Sequence, residues 1–197
     1  MNPKEREPSD AEAIGKVMDN GASSYRRFLD GDLSAFDNII DLYRDSLIFF
    51  INRYVNDLYT AEEIAAESFA VLLLEPNRYN FSVSLKTYLF TIGKNRAIDF
   101  LRKRNRRGSL SLEDIPEGEA SEASFVDEIL KDEEKRKLHE AIGRLKEDYR
   151  VALHLVYFDD MTVAEAARVM GKSPKQVENL LYRARNALRN ELGDMRY

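Results

Sequence analysis

The chain has 197 residues, room for one medium domain or two small ones, with 44% apolar residues for a core and 33% charged residues for a highly solvated surface. It has no cysteine, which excludes disulfides, thiolate metal sites and cysteine nucleophiles. No stretch approaches the about 20 consecutive apolar residues of a membrane span, and the polar start MNPKEREPSD has no apolar signal segment, so a reducing, cytoplasmic address is expected. The two histidines, His139 and His154, lack a second ligand type at metal spacing and read as ordinary helix residues; no metal or cofactor is expected.

Apolar steps of three and four dominate, and glycine and proline are scarce at 9 and 5 residues, so an all-α fold is predicted. Residues 1–23 are polar and weakly patterned and read as a flexible tail. The first strong helix is expected from about Leu33 to Leu58, its apolar face built by Phe36, Ile39, Ile40, Tyr43, Leu47, Phe50, Ile51, Tyr54 and Val55. Thr60 and Glu63 have capping-box spacing, predicting a second helix that carries Ile64, Phe69, Leu72 and Leu73 and stops before Pro76. After the loop 75–83, Ser82 or Ser84 caps a third helix that ends at Gly108.

Residues 24–108 thus read as one helical domain. Residues 109–127 combine Ser, Gly, Pro and acids and read as an acidic flexible linker. Residues 128–197 read as a second helical domain, with helices to about Leu145 and from about Asp148 to Phe158. There Thr162 and Glu165 form a capping box, Gly171 closes the helix 163–170, Ser173 caps the next, and Pro174 takes its first position. Two helices joined by a short glycine turn make a helix-turn-helix.

Charge is distributed unevenly under a formal net of −5. Residues 108–134 hold ten acids and one base, Lys131, whereas residues 94–107 hold seven Lys/Arg and one acid, Asp99. On a helical wheel Leu85, Leu89, Ile92, Gly93 and Phe100 face a core. Tyr88, Thr91, Asn95, Asp99, Arg102 and Arg106 share a neighbouring stripe. That stripe joins a ring that stacks, an amide that reads base edges and guanidiniums that hold phosphates. The preceding loop Arg78-Tyr79-Asn80-Phe81-Ser82 adds more rings beside the charge, a combination suited to unstacked bases. In the last helix Val177, Leu181, Ala184 and Leu188 turn inward, leaving Lys175, Gln176, Glu178, Asn179, Tyr182 and Arg183 for a major groove and Lys172, Arg185 and Arg189 for phosphates.

A unit for unstacked bases and a unit for duplex, joined by an acidic linker, resembles a bacterial sigma factor of the sigma-70 family, extracytoplasmic-function (ECF, group four) class. "AFDNIIDLYRDSLIFFINRYV" with "TAEEIAAESF" is similar to the family's polymerase-docking helices, "SLKTYLFTIGKNRAIDFLRKRNRR" to its −10 segment, and "MTVAEAARVMGKSPKQVENLLYRARNAL" to its −35 reader. The resemblance spans about residues 24–192. It implies sigma region 2 at 24–108 and region 4 at 128–197, with core RNA polymerase and promoter DNA as partners and an anti-sigma factor as a further one. By position it implies that Glu62, Glu63 and Glu67 face the polymerase, that Arg78, Tyr79, Asn80, Phe81 and Ser82 form a pocket for a flipped −10 base, and that Tyr88, Asn95, Asp99, Arg102 and Arg106 line the melted −10 strand. Lys175, Gln176, Glu178, Asn179, Tyr182, Arg183 and Arg185 would face the −35 duplex.

The family pattern is not matched everywhere: Tyr88 stands where a Trp is usual, Ala66 where a Gln is usual, and Glu178 where a base is frequent. An acid there accepts from a cytosine amino group instead of holding phosphate, which implies a −35 preference unlike the common GAAC type. The acidic linker then suits a strand running through a basic channel of the polymerase. The alternative reading, a two-domain helix-turn-helix regulator that binds duplex without acting as a sigma subunit, accounts for residues 162–190 but leaves the aromatic-basic stripe unexplained. An enzymatic role is not expected: no nucleophile–base pair or Gly-rich phosphate motif occurs.

Overall fold

The computed structural model describes residues 21–108 and 133–194, and within them every regular element is helical. The acidic linker at 109–127, residues 1–20 of the N-terminal tail, and the first residues of the second domain, 128–132, lie outside the described residues.

The first domain opens with a helix that the weak N-terminal patterning did not predict, α1 (Ala22–Leu29). It starts inside the segment read as tail. Gly21, at φ 77, sets its entry: a Cβ there would come within 2.8 Å of the Tyr43 ring. Tyr25 on α1 is wholly buried, and its hydroxyl donates to the Leu72 carbonyl at 2.9 Å.

Next come α2 (Ser34–Val55) and α3 (Leu58–Leu74), which pack antiparallel around Ile39, Tyr43, Leu47, Phe50, Ile51, Ile64, Phe69 and Leu72. The boundary between them falls earlier than the expected capping box. Asn56 takes the left-handed closing position at φ 53, and the Asp57 side chain accepts from the Thr60 amide at 2.8 Å. Asp57 is therefore the cap, and its carboxyl is held below the usual range by the hydrogen bonds from Thr60. Thr60 lies inside the helix, so the Thr60–Glu63 pair does not cap it.

A 3-10 turn at Pro76–Arg78 leads through the loop to α4 (Leu85–Gly108). Of the two serines considered, Ser84 is the cap, its Oγ accepting from the Thr87 amide at 3.2 Å. The buried face of α4 differs in part from the wheel: Leu85, Leu89, Phe90, Gly93 and Ala97 are fully covered, while Ile92 and Phe100 are half-buried. Phe90 is drawn in against Phe50 of α2, 5.0 Å away between ring centroids, and a second packed body lies against a further side of α4.

That body is the second domain: α5 (Glu133–Gly143), α6 (Glu147–Leu153) continuing as a π-helical segment His154–Phe158, α7 (Val163–Met170) and α8 (Pro174–Asp194). Both features expected of the helix-turn-helix are present. Thr162 and Glu165 make the reciprocal capping box, and Gly171 closes α7 at φ 67. Ser173 and Gln176 cap α8 reciprocally, Ser173 Oγ accepting from the Gln176 amide at 3.3 Å and Gln176 Oε1 from the Ser173 amide at 2.8 Å. Val177, Leu181 and Ala184 turn inward as predicted, and Leu188 is half-buried.

The two domains share one continuous buried cluster. α4 is the common element. One side faces the first-domain core through Leu85, Leu89, Phe90 and Gly93, another meets the ends of α7 and the π segment through Lys86 and Lys94, and the third is left open. Gly93 permits the first contact: an added Cβ would sit 3.0 Å from Leu47 Cδ1 and 3.1 Å from Ile51 Cδ1.

Candidate nucleic-acid interface

The open side of α4 carries the predicted stripe. Tyr88, Thr91, Asn95 and Asp99 recur every three or four residues and line one open cleft of about 630 Å³. Arg78 enters it from the preceding loop. The structure thus brings together the ring, the amide and the carboxylate that the spacing placed on one face, while the guanidinium in the cleft comes from Arg78 of the loop and not from the stripe. Arg102 lies one turn on and is tied loosely to Asp99 at 3.4 Å, and Arg106 follows as an exposed residue on the same helix. A single exposed ion pair of this kind contributes little to stability, so the Arg102–Asp99 pair is readily exchanged.

Three cleft residues were absent from the sequence-based set: Val71, Ile92 and Arg96. Arg96 lies in the basic stretch but off the stripe, and only the packing of α3 beside α4 brings it to the rim. There it pairs with Glu67 of α3. Val71 and Ile92 make the apolar floor, a role that helical periodicity does not separate from ordinary core.

The loop before α4 is built from rings. Tyr79 is buried, donates from its hydroxyl to the Val83 carbonyl at 2.7 Å, and packs at 5.1 Å from Tyr88 and 4.6 Å from Phe81 between ring centroids. Burial pushes its hydroxyl up to about 12, so it stays protonated. Tyr79 therefore supports the loop from beneath and does not offer a free face. Asn80 Oδ1 accepts from the Ser82 amide at 3.1 Å, an Asx turn, and both Asn80 and Ser82 are exposed. Phe81 adopts φ 59, uncommon for a residue with a Cβ. Tyr88 is half-buried; desolvation raises its hydroxyl against the opposing pull of Arg78.

Glu62, Glu63 and Glu67 are all exposed on α3. Each has a neighbour: Arg44 at 3.9 Å from Glu62, Tyr59 hydrogen-bonded to Glu63, and Arg96 paired with Glu67. Glu67 therefore sits where the acidic face of α3 meets the α4 cleft.

On α8 the outward face holds Lys175, Gln176, Glu178, Asn179, Tyr182, Arg183 and Arg185, all exposed. Tyr182 has 62% of its surface free. Lys175 reaches Glu178 at 3.3 Å, Arg185 reaches the Tyr157 hydroxyl at 3.4 Å, and the oxygen of Gln176 is engaged in the cap. Gln176 thus keeps only its amide nitrogen for a partner. Lys172 pairs with Asp148 at 3.2 Å at the turn. The face presents side-chain donors and acceptors at the N-terminal half of an exposed helix, the geometry with which a helix-turn-helix enters a major groove.

The family model for Sigma-70 region 2 matches residues 39–107, and that for Sigma-70, region 4 matches residues 135–188. The chain belongs to the sigma-70 family. The region 2 match covers the cleft and α4 to residue 107, and the region 4 match covers α7 and α8 as far as Leu188. Among curated relatives, the ECF RNA polymerase sigma factor SigW of Bacillus subtilis is 27% identical over 173 residues, covering 84% of this chain and 92% of that protein. The RNA polymerase sigma-H factor of Pseudomonas aeruginosa is 29% identical over 173 residues, covering 80% and 86%. The sigma factor RpoE of Bartonella quintana, solved in complex with the anti-sigma factor NepR, superposes with a TM-score of 0.67 at 22% identity, covering 80% of this chain and 96% of that one, and so shares the fold. No described helix is long and apolar enough to cross a membrane.

Proposed function

We propose that this sigma-70 family chain acts as an ECF-type sigma factor: it binds core RNA polymerase and directs promoter-specific initiation, carrying out no reaction of its own. The observation that carries the reading is the α4 cleft, where Tyr88, Asn95, Asp99 and Arg78 converge beside a ring-built loop. Duplex DNA buries its base faces in the stack, so a cleft of rings and amides fits bases that have left it. Unstacking costs a few kcal/mol per base, and each ring that receives a base returns about 1–3 kcal/mol. Melting then becomes favourable at the sequence whose bases the cleft accepts.

In this reading Arg78, Asn80, Phe81 and Ser82 surround a flipped −10 base, with Tyr79 beneath. Tyr88, Asn95 and Asp99 line the separated strand, and Arg102 and Arg106 hold its phosphates. The α8 face reads the −35 duplex, with Arg183, Asn179, Tyr182 and Glu178 toward base edges and Lys175 and Arg185 toward the backbone. Glu62, Glu63 and Glu67 contribute to polymerase docking. The place of work is the cytoplasm, where polymerase and promoter meet. An anti-sigma protein is a fitting regulator, since such a partner is bound to the Bartonella quintana neighbour.

The test is run-off transcription with sigma-free core polymerase from a near relative and a pool of genomic promoter fragments. Discrete transcripts that vanish with Asn95→Ala or Arg183→Ala are expected. Retained duplex binding with no transcript would instead assign the chain to duplex-binding regulators.

A further inference from the structure

Helix α1 lies outside the residues matched by the sigma-70 region models, which begin at 39. It nevertheless reaches the base-capture loop. The Tyr25 ring lies 5.5 Å from that of Tyr79 and 6.2 Å from that of Phe81, centroid to centroid, while its hydroxyl is anchored on Leu72. Beside it, the Arg26 guanidinium stands over the Phe81 ring at 4.9 Å. From there the rings run on through Tyr79 to Tyr88 at the cleft.

The cations around this loop differ in how they are engaged. Arg27 is bound to Asp32, and Arg78 to Glu75 at 2.8 Å. Arg26 is exposed and, among the described residues, has no carboxylate partner; its guanidinium lies over the Phe81 face and acts electrostatically on the Tyr79 hydroxyl. Phe81 is also the loop residue in the left-handed region. Such a conformation costs about 1–3 kcal/mol and persists where surrounding contacts over-determine it, as at ligand clamps. Here the contacts are Tyr79 on one side, Tyr25 below and Arg26 above.

We propose that Arg26 is a DNA contact of this site: stacked on Phe81, it holds the loop's outer ring in place and binds the phosphate of the nucleotide whose base enters the loop. A guanidinium stacked by one face on a ring keeps its N–H edge free for a phosphate oxygen. The −10 site is then a surface of two parts, the α4 cleft and α1, with Phe81 as the joint between them. This inference rests on the −10 reading of the cleft.

The test uses holoenzyme assembled from the full chain and core polymerase. Its ligand is a forked promoter fragment with a single-stranded −10 segment, and affinity is measured across a salt series. One phosphate contact to a single strand adds about 0.7 to the slope of log affinity against log salt. Arg26→Gln is therefore expected to lose about 2.6-fold less affinity than wild type over a fourfold rise in salt. Arg26→Lys, which keeps the charge, should retain the wild-type slope. Arg27→Gln, whose guanidinium is engaged by Asp32, should also leave it unchanged. A wild-type slope in Arg26→Gln overturns the proposal, whatever the change in affinity, because support of the ring alone carries no salt dependence. If the wild-type holoenzyme does not prefer forked over fully paired DNA, the −10 reading fails and this inference with it. If it does prefer the fork and Asn95→Ala abolishes that preference while Arg26→Gln keeps the slope, only the inference fails.

Discussion

Ser84 and Glu165 join the caps of two helices from different domains. Ser84, the cap of α4, donates from Oγ to Glu165 Oε1 at 2.9 Å, while Glu165 Oε2 accepts from the Thr162 amide at 3.0 Å in the capping box of α7. Glu165 is partly desolvated, which raises its carboxyl, but hydrogen bonds from Thr162, Ser84 and Thr87 outweigh this and hold it below its usual range. One carboxylate thus closes a helix start and fastens the helix-turn-helix to the helix that bears the cleft.

Removing that carboxylate should act on both. Glu165→Ala is expected to destabilise the chain by about 1–2 kcal/mol, the usual cost of losing a cap together with a charged hydrogen bond. In a double-mutant cycle with Ser84→Ala, the coupling energy should be about 1 kcal/mol. Denaturant unfolding of the four proteins decides it, and strict additivity would mean that the inter-domain bond contributes nothing.

The same interface buries Asp159. Its Oδ1 lies 3.5 Å from Lys86 Nζ of α4 and its Oδ2 3.3 Å from His154 Nε2; Ser46 of α2 lies near the carboxylate and Asp160 is the neighbouring acid. Burial pushes the carboxyl up to about 6, against the pull of Lys86 and Ser46. A raised pKa means that the folded state binds the proton more tightly than the unfolded chain. The contribution is therefore fully present below about pH 4 and is lost as pH rises through about 6, a difference of roughly 3 kcal/mol in all. Asp159→Asn should remove this part of the pH dependence and be the more stable protein at pH 7.5. Parallel stability profiles for the two proteins between pH 4.5 and 7.5 would contradict the assignment.

At the cleft, Tyr88→Ala should weaken binding of holoenzyme to forked −10 DNA by about 1–3 kcal/mol, the contribution of one stacked base. Tyr88→Trp should preserve or strengthen it, since the larger ring offers more face. Binding to a fully paired −35 fragment should be the same in all three. Equal loss on both ligands would show that the substitution had damaged the fold and not the site.

On α8, the residues toward base edges and toward phosphates should separate by kind of effect. Arg183→Ala is expected to cost about 1–3 kcal/mol on the preferred −35 word and to relax the choice of base there. Arg185→Ala should weaken all sequences alike and lower the salt slope by about 0.9, the value for one duplex phosphate. A selection from randomised −35 duplexes, repeated at two salt concentrations, reads both; identical selected words for wild type and Arg183→Ala would remove Arg183 from the base-reading set.

Gly21 starts α1 hard against the Tyr43 ring. At φ 77, with the Tyr43 ring where a Cβ would stand, Gly21→Ala meets strain and a clash together. A loss of about 1–3 kcal/mol in stability is expected, with the Tyr43 side chain displaced. An unchanged melting temperature would show that α1 is not held as described.

Much of the candidate site was legible because a helix imposes its own geometry. Given that residues 85–108 are helical, Tyr88, Asn95 and Asp99 must share a face, and the structure gathers them in one cleft. The capping box Thr162–Glu165 and the cap Ser173 are likewise local, so spacing alone marks the helix-turn-helix, whereas the reciprocal bond from Gln176 appears only in the structure. The boundary at Asn56–Asp57 was missed because two caps compete within four residues, and the left-handed turn at Asn56 decides between them.

What sequence could not decide depends on contacts between residues far apart in the chain. Helix α1 is too short to be stable by itself and forms because Tyr25 is buried against the loop and Leu72. Tyr79 reads as an exposed ring beside charge, and only the packing of Tyr25 and Tyr88 around it turns it into support. Arg96 reaches the cleft through α3, and Phe90 is buried against Phe50 of α2. The sequence by itself determined the helices, their caps and the chemistry on each face, since these follow from periods of three and four residues. Tertiary structure alone decided which faces meet, because burial is a property of pairs of surfaces and no single helix contains it.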